Sequence, residues 1–208
     1  VGVCSPIVTL ITSFAFLVGL VGAPMFSIAL GEKNYQKAKK ILSNALLMLI
    51  VVSLVLMIVF YMFSEPILFL FGASEASISY ALDYLHVYLI GTFFSLLTLG
   101  LVQYLTAQGE SFKAMLTTII GCIINVGLDP LFMYVFSLGV KGAALATVIS
   151  QFISFILVIF LLVKKSSIKL SFGNYDFKIM LQIVKLGISP FIIMATDSVI
   201  LILLNSAL

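Results

Sequence analysis

Six long apolar runs divide the chain, at roughly 5–30, 41–63, 78–105, 114–137, 142–163 and 187–208. Each reaches the ~20 residues that a helix needs to cross the hydrocarbon core of a bilayer. Between them lie GEKNYQKAKK, SEPILFLFGASEAS, AQGESFK, SLGVKG and KKSSIKLSFGNYDFKIMLQIVK. The runs are apolar all round rather than along one stripe, the pattern of membrane helices and not of soluble amphipathic ones. Gly31, Gly109, Gly139 and Gly142 fall where helices should end or begin. EPILFLFG is too short to span and is expected in the interface. DFKIMLQIVK places Phe177, Met180, Leu181 and Val184 on one face, which predicts a surface helix ahead of a separate last span.

Composition agrees with the pattern. Hydrophobic residues make up 62% of the chain and charged ones 9%, against about 25% charged in a soluble domain. The predicted fold class is therefore an all-α polytopic membrane protein with about six transmembrane helices. The chain opens inside an apolar segment and stops at LLNSAL, which reads as a piece of a longer polytopic protein. Cys4 and Cys122 both sit in apolar runs without metal-ligand spacing, and are expected to be buried small hydrophobes.

The eleven basic residues are all lysines, and they are distributed unevenly. Loops that share one side hold Lys33, Lys37, Lys39, Lys40, Lys113, Lys164, Lys165, Lys169, Lys178 and Lys185; the other side holds only Lys141. By the positive-inside rule the lysine-rich loops are cytoplasmic, in a multi-pass protein of the cell membrane. Tyr80, Tyr84 and Tyr88, spaced four residues apart, then fall where an outer aromatic belt belongs, with His86 among them as a hydrogen-bonded interfacial residue.

Against this apolar background the stretch IINVGLDPLF stands out. Asp129 lies about 22 Å along the fourth span, where an ionised carboxylate costs about 2.5–3.5 kcal/mol on insertion scales. Such a group is expected to face protein or water. Thr118, Gly121, Cys122, Asn125 and Asp129 follow three- and four-residue steps, so they form one small, polar stripe. Pro130 has no N–H, which frees the carbonyl of Val126 beside the carboxylate. Carboxylate, amide and carbonyl together suit a proton or a small cation, with Na⁺ held at Asp129 and Asn125; helix packing by Asp129 is the alternative. The last run repeats the design: Pro190, Met194, Asp197, Leu201 and Asn205 share a face. Pro24, with Gly19 and Gly22, marks a kink or hinge in the first span.

Several chemistries are excluded. There is no Gly-rich phosphate loop, no His/Cys/Glu metal cluster and no Ser–His–Asp arrangement, so an enzyme is not expected. Nothing points to nucleic acid, and no cofactor is called for beyond a coupling ion.

These residues resemble a known family. GLVGAPMFSIALGEKNYQKAKKILSNA, LFGAS with ALDYLHVYLIGTFF, AQGESFKAM, IINVGLDPLF, GVKGAALATVISQ and SPFIIMATDSVILILLNSAL run in order along the chain. They look like the multidrug and toxic compound extrusion (MATE) transporters, above all the bacterial DinF- and MepA-like branch, with NxxxDP and GAALATVISQ the most telling blocks. The resemblance implies a fragment of a twelve-helix, two-bundle fold: helices two to six of the N-terminal bundle at 1–163, a cytoplasmic linker at 164–186, and a truncated helix seven at 187–208. It implies export of small cationic or lipophilic drugs in exchange for H⁺ or Na⁺ by alternating access, by a protein that is a monomer when full length. Asp129 and Asn125 match the family's acidic site in helix five, and Asp197 falls near its helix-seven acid. Met194, Asn205, Thr118 and Cys122 are then candidates for the substrate cavity, and Pro24, Pro130 and Pro190 for hinges. A flippase for lipid-linked saccharides and a non-transporting membrane subunit are the rival readings; the absence of any lysine or arginine at membrane depth speaks against the first.

Overall fold

The computed structural model describes residues 4–71, 73–75 and 77–207, with side chains described through Asp197 and at Ile200. The helices are α1 (Ser5–Gly31), α2 (Tyr35–Met62), α3 (Ser64–Leu70), α4 (Ile78–Ala107), α5 (Ser111–Pro130), α6 (Gly139–Phe160) and α7 (Phe177–Ala207). One π-helical turn, Leu131–Val135, continues α5, and another, Leu161–Lys165, continues α6. Six of these segments are long and apolar enough to cross a membrane, and the protein is a multi-pass membrane protein. Helices suit that setting because every backbone N–H and C=O is satisfied within the segment.

The connections on the lysine-rich side are tight and built from backbone. α1 ends with Asn34 N–H donating to Ala29 O at 2.9 Å, and the Asn34 side chain accepts from Lys37 N–H at 3.0 Å to cap α2. α4 ends in a left-handed turn at Gly109 (φ +80°), where Glu110 N–H donates to Leu105 O. α3 is a short helix beyond the end of α2; Ser64 Oγ lies 3.1 Å from His86 Nε2, so His86 is hydrogen-bonded as its position suggested.

α4 is the central helix, packed on α1, α2, α5 and α6. Small residues let it approach its neighbours closely: a Cβ on Gly100 would overlap Leu49 of α2, and one on Gly91 would overlap Val148 of α6. Two core clusters stack along the bundle. One, toward the lysine-rich end, includes Phe26, Leu42, Leu101 and Tyr104; the other includes Ile7, Ile11, Leu85 and Leu89.

Three expectations are corrected. The last helix begins at Phe177 rather than 187 and runs unbroken to Ala207, so the amphipathic DFKIMLQIVK stretch is its first part and not a separate surface helix. Its buried residue there is Ile183, while Phe177, Leu181 and Val184 are exposed. Tyr84 and Tyr88 do not form an outer belt with Tyr80: both are buried and stack at 5.9 Å, because their face of α4 points into the bundle. Cys4 is buried, but Cys122 is exposed on α5.

Candidate functional site

The polar stripe of α5 faces α6. The crossing is fixed at Gly121, where any Cβ would overlap Ser154 Oγ, and Ser154 Oγ donates to Thr117 O at 3.2 Å. That close approach opens a cavity of about 380 Å³ between α1, α4, α5 and α6. Thr118, Cys122 and Asn125 supply its α5 wall; Thr147, Ser150 and Gln151 supply its α6 wall. Tyr88, Ser95 and Thr98 close it on α4, and Thr12 on α1. None of the lining residues is charged.

The wall, mostly carbon, nonetheless carries several hydroxyls and amides. Thr147 Oγ1 donates to Ala143 O at 3.0 Å, and Ser150 Oγ reaches Ala146 O and Thr147 O at 2.9 and 2.8 Å. Their protons are thus committed to their own helix, so these hydroxyls can offer a ligand only acceptor capacity. Gln151 Oε1 and Thr98 Oγ1 are buried without a hydrogen-bond partner among the described residues. The cavity is therefore neutral and mainly apolar, with a few acceptors for a lipophilic ligand that brings donors or positive charge.

Asn125 directs Nδ2 at Thr147 Oγ1 across a long 3.4 Å contact, so its amide oxygen stays free for another ligand. Asp129 stands one turn further along α5. It is half-buried and does not line the cavity itself; its Oδ1 is sealed from solvent with no hydrogen-bond partner among the described residues. Tyr84 of α4 lies within its electrostatic reach. Directly after Asp129, Pro130 interrupts the amide ladder and the backbone widens into the π-helical turn at Leu131. Gly142 permits that widening, since a Cβ there would strike the backbone of Phe132.

The structure thus gathers Asn125, Thr118 and Cys122 around one cavity, with Asp129 at its edge. It does not gather Asp197 or Met194 there. α7 packs on α1 and α2 while α5 packs on α6 and α4; Asp197 is exposed, Met194 is half-buried, and neither lines the cavity. The Asn205 side chain lies outside the described residues. Pro24 and Pro190 sit inside helices that continue through them. Thr147, Ser150, Gln151 and Ser154 were not anticipated, although they follow three- and four-residue steps on α6 just as the α5 stripe does.

A profile of the MatE family matches residues 1–131. The chain belongs to the MATE family. Among curated relatives of this MATE chain, the multidrug export protein MepA of Staphylococcus haemolyticus is 29% identical over 204 residues, covering 96% of the chain and 45% of the relative. MepA of Staphylococcus aureus (strain bovine RF122 / ET3-1) is 30% identical over 188 residues, covering 86% and 42%. Among solved structures, a multidrug resistance MATE family transporter of the MOP superfamily in an inward-facing conformation superposes with a TM-score of 0.93 at 22% identity, over 99% of this chain and 48% of that one. The MATE multidrug transporter DinF-BH, solved as a complex, superposes with a TM-score of 0.91 at 28% identity, over 99% and 47%. This MATE chain therefore spans a little under half the length of the relatives it matches.

Proposed function

We propose that this chain supplies helices two to six of the first helical bundle of a multidrug exporter, with the lysine-rich loops in the cytoplasm, and that the exporter exchanges cationic or lipophilic compounds for H⁺ or Na⁺. α1 to α6 form the bundle's helices, the segment after Lys165 carries the link, and α7, which starts at Phe177, leads into a second bundle. The observation that carries the reading is the solvent-sealed Oδ1 of Asp129, without a partner among the described residues, beside a neutral, mainly apolar cavity.

An ionised carboxylate without a partner is unstable at that depth. It is relieved by a proton, by a small cation shared with the free amide oxygen of Asn125, or by a cationic substrate in the adjacent cavity. These occupants compete for one charge. Binding of one weakens the others by the same coupling free energy, which is the linkage an exchanger needs. Each elementary charge moving down 100 mV releases about 2.3 kcal/mol to drive export. Gln151, Thr98 and Ser150 receive the donors of a substrate ammonium or of the water it displaces, while Tyr88 offers an aromatic wall. MepA is named as a multidrug export protein and DinF-BH as a multidrug transporter, which favours this use of the cavity.

The test is dye accumulation in cells making the complete protein. Asp129→Asn and Thr147→Ala are expected to raise retention of a fluorescent cationic dye at unchanged expression, the first to the level of cells without the transporter. Asp129→Asn cells that keep wild-type efflux would reduce the carboxylate to a packing group.

A further inference from the structure

On the lysine-rich face, away from the polar cavity, a pocket of about 260 Å³ lies between the first turns of α2 and the segment just after α6. Tyr35, Gln36 and Lys39 form one wall; Ser167, Ile168 and Lys169 form the other. Among the described residues neither lysine has a carboxylate within salt-bridge distance, whereas neighbouring Lys37 and Lys113 pair with Glu32 and Glu110. Two lysines without a carboxylate partner among the described residues therefore border one concave spot beside the positive end of α2. Its floor is held in place: Ile168 N–H donates to Gln108 Oε1 at 2.8 Å, and Ser166 Oγ bonds to Leu162 O and Ile168 O at 2.8 and 2.7 Å.

The same face of α2 continues into the membrane. Gln36, Lys39, Ser43, Leu46 and Ile50 fall within an arc of about 80° on a helix with 3.6 residues per turn. Ser43 Oγ donates to Ser171 O, keeping the 167–172 segment alongside. Beyond it an apolar groove of about 210 Å³ opens, lined by Leu46, Ile50, Phe93, Phe155, Leu170 and others. Lys39 and Ile50 are eleven positions apart, about 16 Å along the axis, close to half of the ~30 Å hydrocarbon thickness.

We propose that the pocket and groove together bind one anionic phospholipid of the leaflet at the lysine-rich face. Its phosphate is held by Lys39, Lys169 and the Ser167 hydroxyl, its glycerol lies at the level of the Ser43–Ser171 pair, and one acyl chain fills the groove. Charge complementarity selects the headgroup and the apolar groove requires the tail. By tying α2 to the post-α6 segment, the lipid braces the route toward α7.

The complete protein, delipidated in a neutral detergent, is titrated with dioleoylphosphatidylglycerol, with dioleoylphosphatidylcholine and with glycerol 3-phosphate, and bound lipid is counted by native mass spectrometry. Wild type is expected to retain the anionic lipid about tenfold or more over the zwitterionic one, the effect of two lysines at an anionic headgroup. Lys39→Gln with Lys169→Gln abolishes that preference at unchanged melting temperature, while Lys33→Gln with Lys178→Gln, an equal charge change outside the pocket, preserves it. Equal retention of both lipids by wild type, or equal loss in the two double variants, overturns the site. Displacement of the lipid by glycerol 3-phosphate overturns the role of the acyl groove.

Discussion

Asp129 and Tyr104 show two opposite treatments of a polar group in an apolar bundle. Tyr104 is fully buried, donates its hydroxyl to Val18 O at 3.1 Å and meets Phe26 edge-on at 5.8 Å. Val18 O can still accept within its own helix, so Tyr104→Phe is expected to lower unfolding free energy by only about 0.5–1.5 kcal/mol. Tyr104→Ala removes the ring as well and is expected to cost about 3–5 kcal/mol, as for large aromatics in cores. Both are read from thermal melts in detergent. Asp129, by contrast, has a sealed oxygen without a partner among the described residues. If it served packing, Asp129→Asn would destabilise the protein. As a functional charge held at a cost, its removal is expected to leave the melting temperature unchanged or raised while transport is lost.

At the scale of elements, glycines decide which helices touch. Gly142 lies under the backbone of Phe132, which cannot move aside as a side-chain tip would. Gly142→Ala is therefore expected to destabilise by about 1–3 kcal/mol through overpacking. Gly127→Ala, on α5 but with nothing within 4 Å of the added methyl, is expected to cost nothing and to gain up to about 1 kcal/mol from helix propensity. The segment between α6 and α7 depends on α2: the fully buried Asn44 accepts from Asp176 N–H at 2.8 Å and donates to Lys40 O at 2.7 Å. Asn44→Ala is expected to speed trypsin cleavage at Lys164, Lys165 or Lys169, followed on gels. Equal cleavage rates would show that Ser43 and Gln108 suffice to hold the segment.

The membrane spans were readable because a bilayer demands long apolar runs, and all but α7 start within two turns of those runs. α7 was not, because Lys178 and Lys185 give its first turns an amphipathic look. A tertiary contact carries the helix across Gly187, the fit of that glycine against Leu17 O. The inward turn of Tyr84 and Tyr88 also depends on packing, since four-residue spacing fixes a shared face but not its direction. At the site, Asn125 and Asp129 were visible as polar residues at depth. Thr147, Ser150 and Gln151 were less so, since hydroxyls and amides beside alanines carry little contrast until a second helix is laid against them.

Over the whole molecule, α1, α2, α4, α5 and α6 pack around one another and the long α7 lies along α1. α4 is the most enclosed helix, whereas α5 and α7 leave most of their apolar surface uncovered, as suits lipid or further helices of the longer relatives. The central claim is that one carboxylate at the edge of a neutral cavity converts an ion gradient into drug export. Its most direct measurement uses the complete protein in proteoliposomes, following uptake of a fluorescent cationic dye under an imposed pH gradient and then a Na⁺ gradient. Wild type is predicted to take up dye under at least one of them, which names the ion, and Asp129→Asn under neither, while Asp197→Asn retains a measurable rate. Gradient-driven uptake by Asp129→Asn at the wild-type rate would contradict the claim.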